Sequence, residues 1–335
     1  MLEVNIGGLA DAMMPFVERD IPVLIEGETG IGKTYIARNV IKPALEEFSG
    51  LPVDYHDIRV SGLLPEDFTG IPDKTNDPVT GEPIVRWARS AVNPVDNGKM
   101  HLIALEEITH NRALFAPLYR FVAEREDAAG YKLPKNHRII AACNPRSDQS
   151  GDAKLFKALE RRFAHIRVRT SNMDTVNFGK ENNWDVRLLA FLKKYPELNH
   201  KMSNEDPAWP TPSRWEQVNK FMNLSIPQIE SAASAIVGKG VAMKFAAEID
   251  AMVSNIPRLA EVASNPMTAK VPDDDQHQLV IARMLSRAIS VNNAEAFVTY
   301  MRRLSPDIAS LVANDIVNDM RLPYRVIDLA RTLIS

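Results

Sequence analysis

The sequence predicts an α/β chain: a core built on a parallel sheet flanked by helices, followed by an all-α region. Three observations predict it. Up to about residue 170, apolar runs of four to six residues alternate with helical patterns, the arrangement of βαβ units. One of these runs leads into a glycine-rich turn that opens a helix, as a parallel sheet with ligands at its carboxyl edge requires. After about residue 171 the strand-like runs stop and amphipathic stretches at helical spacing take over.

Taken in order, the candidate strands are 21–25, 55–60, 101–105, 138–143 and 165–169, each short, apolar and rich in β-branched residues. The expected helices of the second half are 184–195, 213–223, 227–237, 240–254, 278–290, 294–303, 306–319 and 323–334. A domain boundary is expected near 171–180, where Thr170-Ser171-Asn172-Met173-Asp174 is polar. Residues 61–98 and 196–212 read as long loops, because prolines and glycines punctuate both, and loops of that length in a compact domain are commonly functional. Asp273-Asp274-Asp275 reads as an acidic turn ahead of a helix.

Residues 27–34, Gly27-Glu28-Thr29-Gly30-Ile31-Gly32-Lys33-Thr34, form a complete G-x-x-x-x-G-K-T phosphate loop. The glycines allow a tight turn whose N–H groups point inward at phosphate oxygens. Lys33 would reach the β- and γ-phosphates, and the Thr34 hydroxyl would ligate Mg²⁺. The apolar run 21–25 precedes the loop, and a helical pattern begins at Tyr35, so the phosphates would sit at a helix N-terminus. The motif predicts a nucleoside triphosphate as ligand.

Hydrolysis also needs carboxylate support for the metal and a group to orient or deprotonate water. The run Met100 to Leu105 ends in Glu106 and Glu107, which would point to opposite faces if the strand persisted. One could support Mg²⁺ while the other faces water. The run 138–143 ends in Asn144-Pro145, placing a polar side chain next to the carboxylates in sheet order. Arg161, Arg162 and Arg214 lie near expected helix boundaries, with Thr211 as N-cap and Pro212 at the first helical position before Arg214. The planar, permanently charged guanidinium suits phosphate oxygens.

Bulk composition narrows the classes. The chain has 335 residues, 45% hydrophobic and 25% charged, with a formal net charge of −3 and no block of Lys or Arg. Nothing in it announces nucleic acid or an anionic membrane surface. A single cysteine, Cys143, precludes an internal disulfide and suggests a reducing compartment. The seven histidines are dispersed, without the spacing of a zinc helix. No apolar run approaches about 18 residues, so a cytoplasmic chain with no membrane span is expected.

Together these elements resemble an AAA+ ATPase of the MoxR type. The residues that carry the likeness are Gly27 to Thr34, Leu63-Leu64-Pro65-Glu66-Asp67-Phe68-Thr69-Gly70, Glu106-Glu107-Ile108, Ala142-Cys143-Asn144-Pro145 and Arg162-Phe163. The Leu-Leu-Pro-x-Asp-x-x-Gly element is the more diagnostic of these. The likeness spans about residues 1–225. It implies a nucleotide-binding core over 1–172, an α-helical lid over 173–225 and a helical extension over 226–335. It also implies an insert within 61–98 and a hairpin at about 124–137, both facing a ring pore.

By position, Gly27 to Thr34 with Tyr35 would hold ATP as Walker A, with Thr34 and Glu106 on Mg²⁺. Glu106 and Glu107 would form Walker B, with Glu107 as base. Asn144 would be sensor 1 and Arg214 sensor 2. Arg162, or Arg161 in its place, would reach the γ-phosphate of a neighbouring subunit in a ring hexamer. The resemblance further implies a remodelling ATPase acting on a protein partner, commonly one bearing a von Willebrand A domain. Glu106 stands where the family usually has Asp, and Thr109-His110 where it has Asn-Arg. The alternative is a nucleic-acid motor, for which Arg86, Trp87 and Arg89 in the insert and Lys132, Lys135, His137 and Arg138 around the hairpin could grip a strand.

Overall fold

The computed structural model describes residues 1–145, 154–203 and 206–334. The chain divides into two compact units, Met1–Asp174 and Thr175–Ser335.

Among its described residues the first unit has eight strands: β1 (Leu2–Asn5), β2 (Val23–Gly27), β3 (Val53–Arg59), β4 (Pro72–Asn76), β5 (Pro83–Trp87), β6 (Met100–Glu106), β7 (His137–Cys143) and β8 (Ala164–Arg169). Six of them make one sheet in the order β1-β8-β2-β7-β6-β3, with every neighbouring pair parallel. Parallel strands need crossover connections, so both faces are covered and the central strands are apolar at most positions. In β6 every residue from Met100 to Leu105 is buried. Pleating sends Leu102 and Ala104 into a core with Leu9, Met13, Ile25 and Ile41, and Ile103 and Leu105 into a core with Phe68, Leu114, Leu118 and Phe121.

The five expected strands are all present. The exposed edge strand β1 had no apolar run to announce it, since its burial comes from Val4 alone. Residues 61–98, expected as a loop, hold a short helix (Pro65–Thr69) and the antiparallel β4–β5 hairpin. That hairpin was hidden because nearly all of its residues are exposed on both faces, so no alternation of apolar and polar positions marks it.

The Leu63 to Gly70 element closes the base of this hairpin. Asp67 caps the short helix by accepting the Leu64 N–H at 2.9 Å, and the Ala88 N–H reaches the Ile71 carbonyl at 2.9 Å. Gly70 adopts φ +75°, and a Cβ there would lie 1.9 Å from the Ala88 carbonyl oxygen. Only glycine permits that approach. A second, smaller turn lies at 124–137, where Glu126 and Lys132 make an antiparallel bridge. Buried Asp127 joins the two segments by accepting from Asn93 Nδ2 at 3.0 Å and from the Tyr131 N–H at 2.9 Å.

The second unit is helical, from Asn172–Glu181, in which the division falls, through Val186–Lys194, Pro212–Asn219, Ile226–Val237, Lys239–Ser254, Leu259–Ser264, Asp275–Ala288, Ala294–Met301 and Pro306–Asn318 to Tyr324–Arg331. One apolar core gathers Val176, Trp184, Phe191, Trp215, Phe245 and Ile249; a second gathers residues between Ile256 and Ala330 around Phe297, Tyr300 and Val312. The helices at 172–181 and 259–264 escaped the sequence pattern, the first because its apolar positions are few. Asp274 is the N-cap of its helix, accepting the His277 N–H at 2.9 Å.

Candidate functional site

Strand β2 ends at Gly27, and the chain turns through Gly30 (φ +77°) and Gly32 (φ +107°) into the helix that starts at Lys33. Both glycines occupy the left-handed region that other residues avoid. That helix runs Lys33–Ile36, passes through a π turn at Ala37–Ile41 and continues as Lys42–Ser49. Ile31 and Ala37 are buried, anchoring the loop on both sides, and Tyr35 is exposed.

Lys33 folds across the loop. Its ammonium donates to the Gly27 carbonyl at 2.5 Å, to the Glu28 carbonyl at 2.8 Å and to Asn144 Oδ1 at 3.3 Å. Asn144 reaches it because β7 lies next to β2 in the sheet, with Glu26 opposite Cys143. The residue after a strand end thus meets the residue after a loop more than a hundred positions earlier.

On the other side of the loop, the Thr34 side chain hydrogen-bonds Glu106. Glu106 is held above the usual carboxylate range, first by burial and then by the negative Asp57 nearby, while Thr34, Lys33 and Arg59 pull the other way. A partly buried carboxylate with one hydroxyl partner is an incomplete set of hard oxygen donors, and that is what a magnesium ion with phosphate oxygens would complete. Thr34 and Glu106 therefore fit Mg²⁺. No group of three or more His, Cys, Asp or Glu side chains among the described residues could hold a metal ion by itself.

Glu107 departs from the simple strand picture. Strand β6 ends at Glu106, and Glu107 has φ +56°, so the two carboxylates do not alternate across a strand. Glu107 instead heads a tight turn in which the His110 N–H bonds its carbonyl at 3.0 Å, and its side chain is exposed. A non-glycine residue in this region costs roughly 1–3 kcal/mol, and such strain concentrates at functional sites.

Two features were not read from the sequence. Ile6 stands 4.0 Å from the position a Cβ would take on Gly32, so an apolar side chain flanks the loop. Thr109 is buried and its hydroxyl has no hydrogen-bond partner among the described residues. It lines a cavity of about 850 Å³ beside the loop, together with Glu28, Asn144, Arg167 and Thr170. No motif marks Ile6, and Thr109 stood out in the sequence only as a departure from the family's Asn; the place of each beside the loop is set by neighbours distant in sequence.

The remaining candidates fall elsewhere. Arg161 and Arg162 follow the short helix Lys157–Glu160, and both are exposed. Arg162 donates to the Tyr119 hydroxyl at 3.0 Å and lies 5.5 Å from that ring's centroid. Arg214 belongs to the helical unit. Thr211 caps its helix, with Pro212 in the first turn, and Arg214 donates to the carbonyls of Trp209 at 3.0 Å and Pro207 at 3.1 Å, stacked over the Trp209 ring at 4.4 Å. Cys143 is buried and forms no disulfide. Among the described residues, no helix is long and apolar enough to cross a membrane.

No family model and no curated protein matches the sequence. Among solved structures, the chain is similar to the Aeropyrum pernix ORC2 protein in its ADP form, at 14% identity and a TM-score of 0.42 over 98% of this chain and 92% of that one. It is also similar to a mutant of Thermotoga maritima RuvB, at 13% identity and a TM-score of 0.39 over 84% and 74%. A third is NtrX from Brucella abortus with ADP, at 14% identity and a TM-score of 0.32 over 97% and 68%. Likenesses this distant say nothing of the chain's chemistry.

Proposed function

We propose that this chain is a Mg²⁺-dependent ATPase of the AAA+ type. The observation that supports it most is the convergence of Lys33, Asn144, Thr34 and Glu106 on one glycine-turned loop at a helix N-terminus. In this reading the loop from Gly27 to Thr34 cradles the triphosphate, with Tyr35 and Ile6 beside it. Lys33 leaves its carbonyl partners for the β- and γ-phosphates. Thr34 and Glu106 hold the metal, which would supply charge neutralisation at the transferring phosphoryl group. Glu107 accepts the proton of the attacking water, Asn144 aligns water or γ-phosphate, and Arg214 acts as sensor 2.

The further reading is a MoxR-type remodelling enzyme: a ring, hexameric by resemblance, that reshapes a protein partner, with a von Willebrand A domain protein as adaptor. The alternative of a nucleic-acid motor is weakened by how its cations are used. Arg89 donates to the Pro94 carbonyl, Lys132 pairs with Glu126 and Arg138 donates to the Val17 carbonyl. The test is phosphate release from ATP with and without Mg²⁺, followed by affinity capture on Glu107→Gln protein held in ATP. Mg²⁺-dependent release and a captured protein support the reading. No release at any protein concentration overturns the ATPase, and captured nucleic acid overturns the remodelling role.

A further inference from the structure

Arg162 and Arg161 are adjacent, exposed and identical in chemistry, but their surroundings differ. Arg161's guanidinium has no hydrogen bond or ion pair among the described residues. Arg162 is gripped on two sides by one residue: its Nη2 donates to the Tyr119 hydroxyl at 3.0 Å, and its carbon lies 5.5 Å from the centre of the same ring. Tyr119 is itself fixed. It ends the helix Phe115–Tyr119, packs against the core of Leu118, Phe121 and Phe163, and its ring meets Phe156 at a centroid distance of 5.9 Å.

Arg162 makes no ion pair among the described residues, so Tyr119 holds the guanidinium without neutralising it. An ordinary surface arginine is either ion-paired or free to sample rotamers. One that is exposed, held in place and uncompensated is prepared for an anion that the described residues do not supply. Pre-ordering removes the entropy cost of fixing a long side chain when that anion arrives.

We propose that Tyr119 is a positioning residue that presents Arg162, rather than Arg161, to a nucleotide phosphate bound by a second copy of this chain. The inference rests on the reading of the chain as an ATPase whose sites are completed between copies. Tyr119 touches no substrate; it acts by holding the arginine. The hydroxyl sets the direction of the guanidinium and the ring face limits its sweep.

The experiment is a double-mutant cycle on the full chain, reading kcat, KM and ATP affinity. Arg162→Ala should lower kcat by about a hundredfold or more, with ATP affinity retained, since an arginine acting in trans is worth about 10³–10⁵ in related phosphoryl transfer. Arg161→Ala should lose far less. Tyr119→Phe, which keeps the ring, should lower kcat about threefold, and Tyr119→Leu about tenfold, both without raising KM. In the Arg162→Ala background Tyr119→Leu should cost nothing more, which a merely structural role for Tyr119 would not give. Equal losses from Tyr119→Leu in both backgrounds, no loss in the wild-type background, or a larger loss from Arg161→Ala than from Arg162→Ala would overturn the proposal. Undiminished hydrolysis in Lys33→Ala would instead overturn the ATPase reading itself, so the two failures are distinguishable.

Discussion

Asp185 in the helical unit and Glu106 in the α/β unit hold buried charge in opposite ways. In the helical unit, Asp185 is buried and saturated. It caps the helix Val186–Lys194 by accepting the Arg187 N–H at 2.9 Å, pairs with the Arg187 side chain at 2.9 Å and takes Arg287 Nη1 at 2.6 Å. Arg187 in turn donates to the Met222 carbonyl. In the α/β unit, Glu106 is pressed into a site that raises its pKa and has one hydroxyl partner, Glu107 is left exposed on a strained turn, and Lys33 rests on carbonyls that would suit it less well than phosphate. Buried charges that are fully paired are architecture. A buried carboxylate whose pKa is pushed up, or one left on a strained turn, marks chemistry instead.

The largest expected effect lies on the chemical side of that contrast. Glu107→Gln should reduce ATP turnover by about 10²–10⁴, the range typical of a lost general base, while ATP still binds. A wild-type rate in single-turnover assays would remove Glu107 from the role. Because Glu107 is exposed and strained, the substitution should leave the unfolding midpoint nearly unchanged, and a large fall would mean that the turn is structural instead.

Breaking the saturated cluster should do the reverse. Asp185→Ala leaves Arg187 and Arg287 without their carboxylate and removes a helix cap, and loss of one partner from a buried pair costs about 3–5 kcal/mol. Urea denaturation should register the loss, while nucleotide affinity at low denaturant stays as in the wild type. If stability hardly moved, the cluster would be no more than a surface ion pair.

Gly70→Ala is smaller and local. Its Cβ would strike the Ala88 carbonyl in a backbone conformation that carries about 1–3 kcal/mol of strain for other residues. Hydrogen exchange should accelerate in the Pro72–Asn76 and Pro83–Trp87 strands and leave the six-stranded sheet protected. Uniform loss of protection would show that the hairpin is not an independent element.

These contrasts also explain what the sequence could and could not reveal. The loop, the carboxylate pair and Asn144 were legible because each sits at the end of an apolar strand, and parallel strands bring their carboxyl ends to one edge. The hairpin at 72–87 was not, because an exposed two-stranded ribbon has no buried face to imprint a period. The turn at Glu107 was invisible for a different reason: nothing in Glu-Glu-Ile says that the strand stops between the two acids. Asp185 was equally silent, since its partners are two residues away and about a hundred residues away. Tyr119 could be found only through the tertiary contact with Arg162.

The smallest expected effect sets stability against function at a single atom pair. Glu106 has a raised pKa because burial penalises its charged form. The folded chain therefore binds a proton more readily than the unfolded one, and this contribution favours folding below the carboxylate's ordinary pKa. As pH rises from there through the raised value, the contribution is lost, and at neutral pH the metal-free fold carries a penalty. Glu106→Gln removes the charge and keeps the shape, so it should raise the melting temperature of the metal-free protein slightly at neutral pH. The gain should fade in acid, and Mg²⁺-dependent hydrolysis should be lost at every pH. Thermal melts across pH, with and without Mg²⁺ and ATP, would separate these. In the wild type, Mg²⁺ with ATP should recover the stability that the bare carboxylate forfeits, and in Glu106→Gln it should add much less. A variant less stable than wild type at neutral pH would mean that the Thr34 contact outweighs the burial of Glu106, and the acid would then belong with Asp185 among the structural charges.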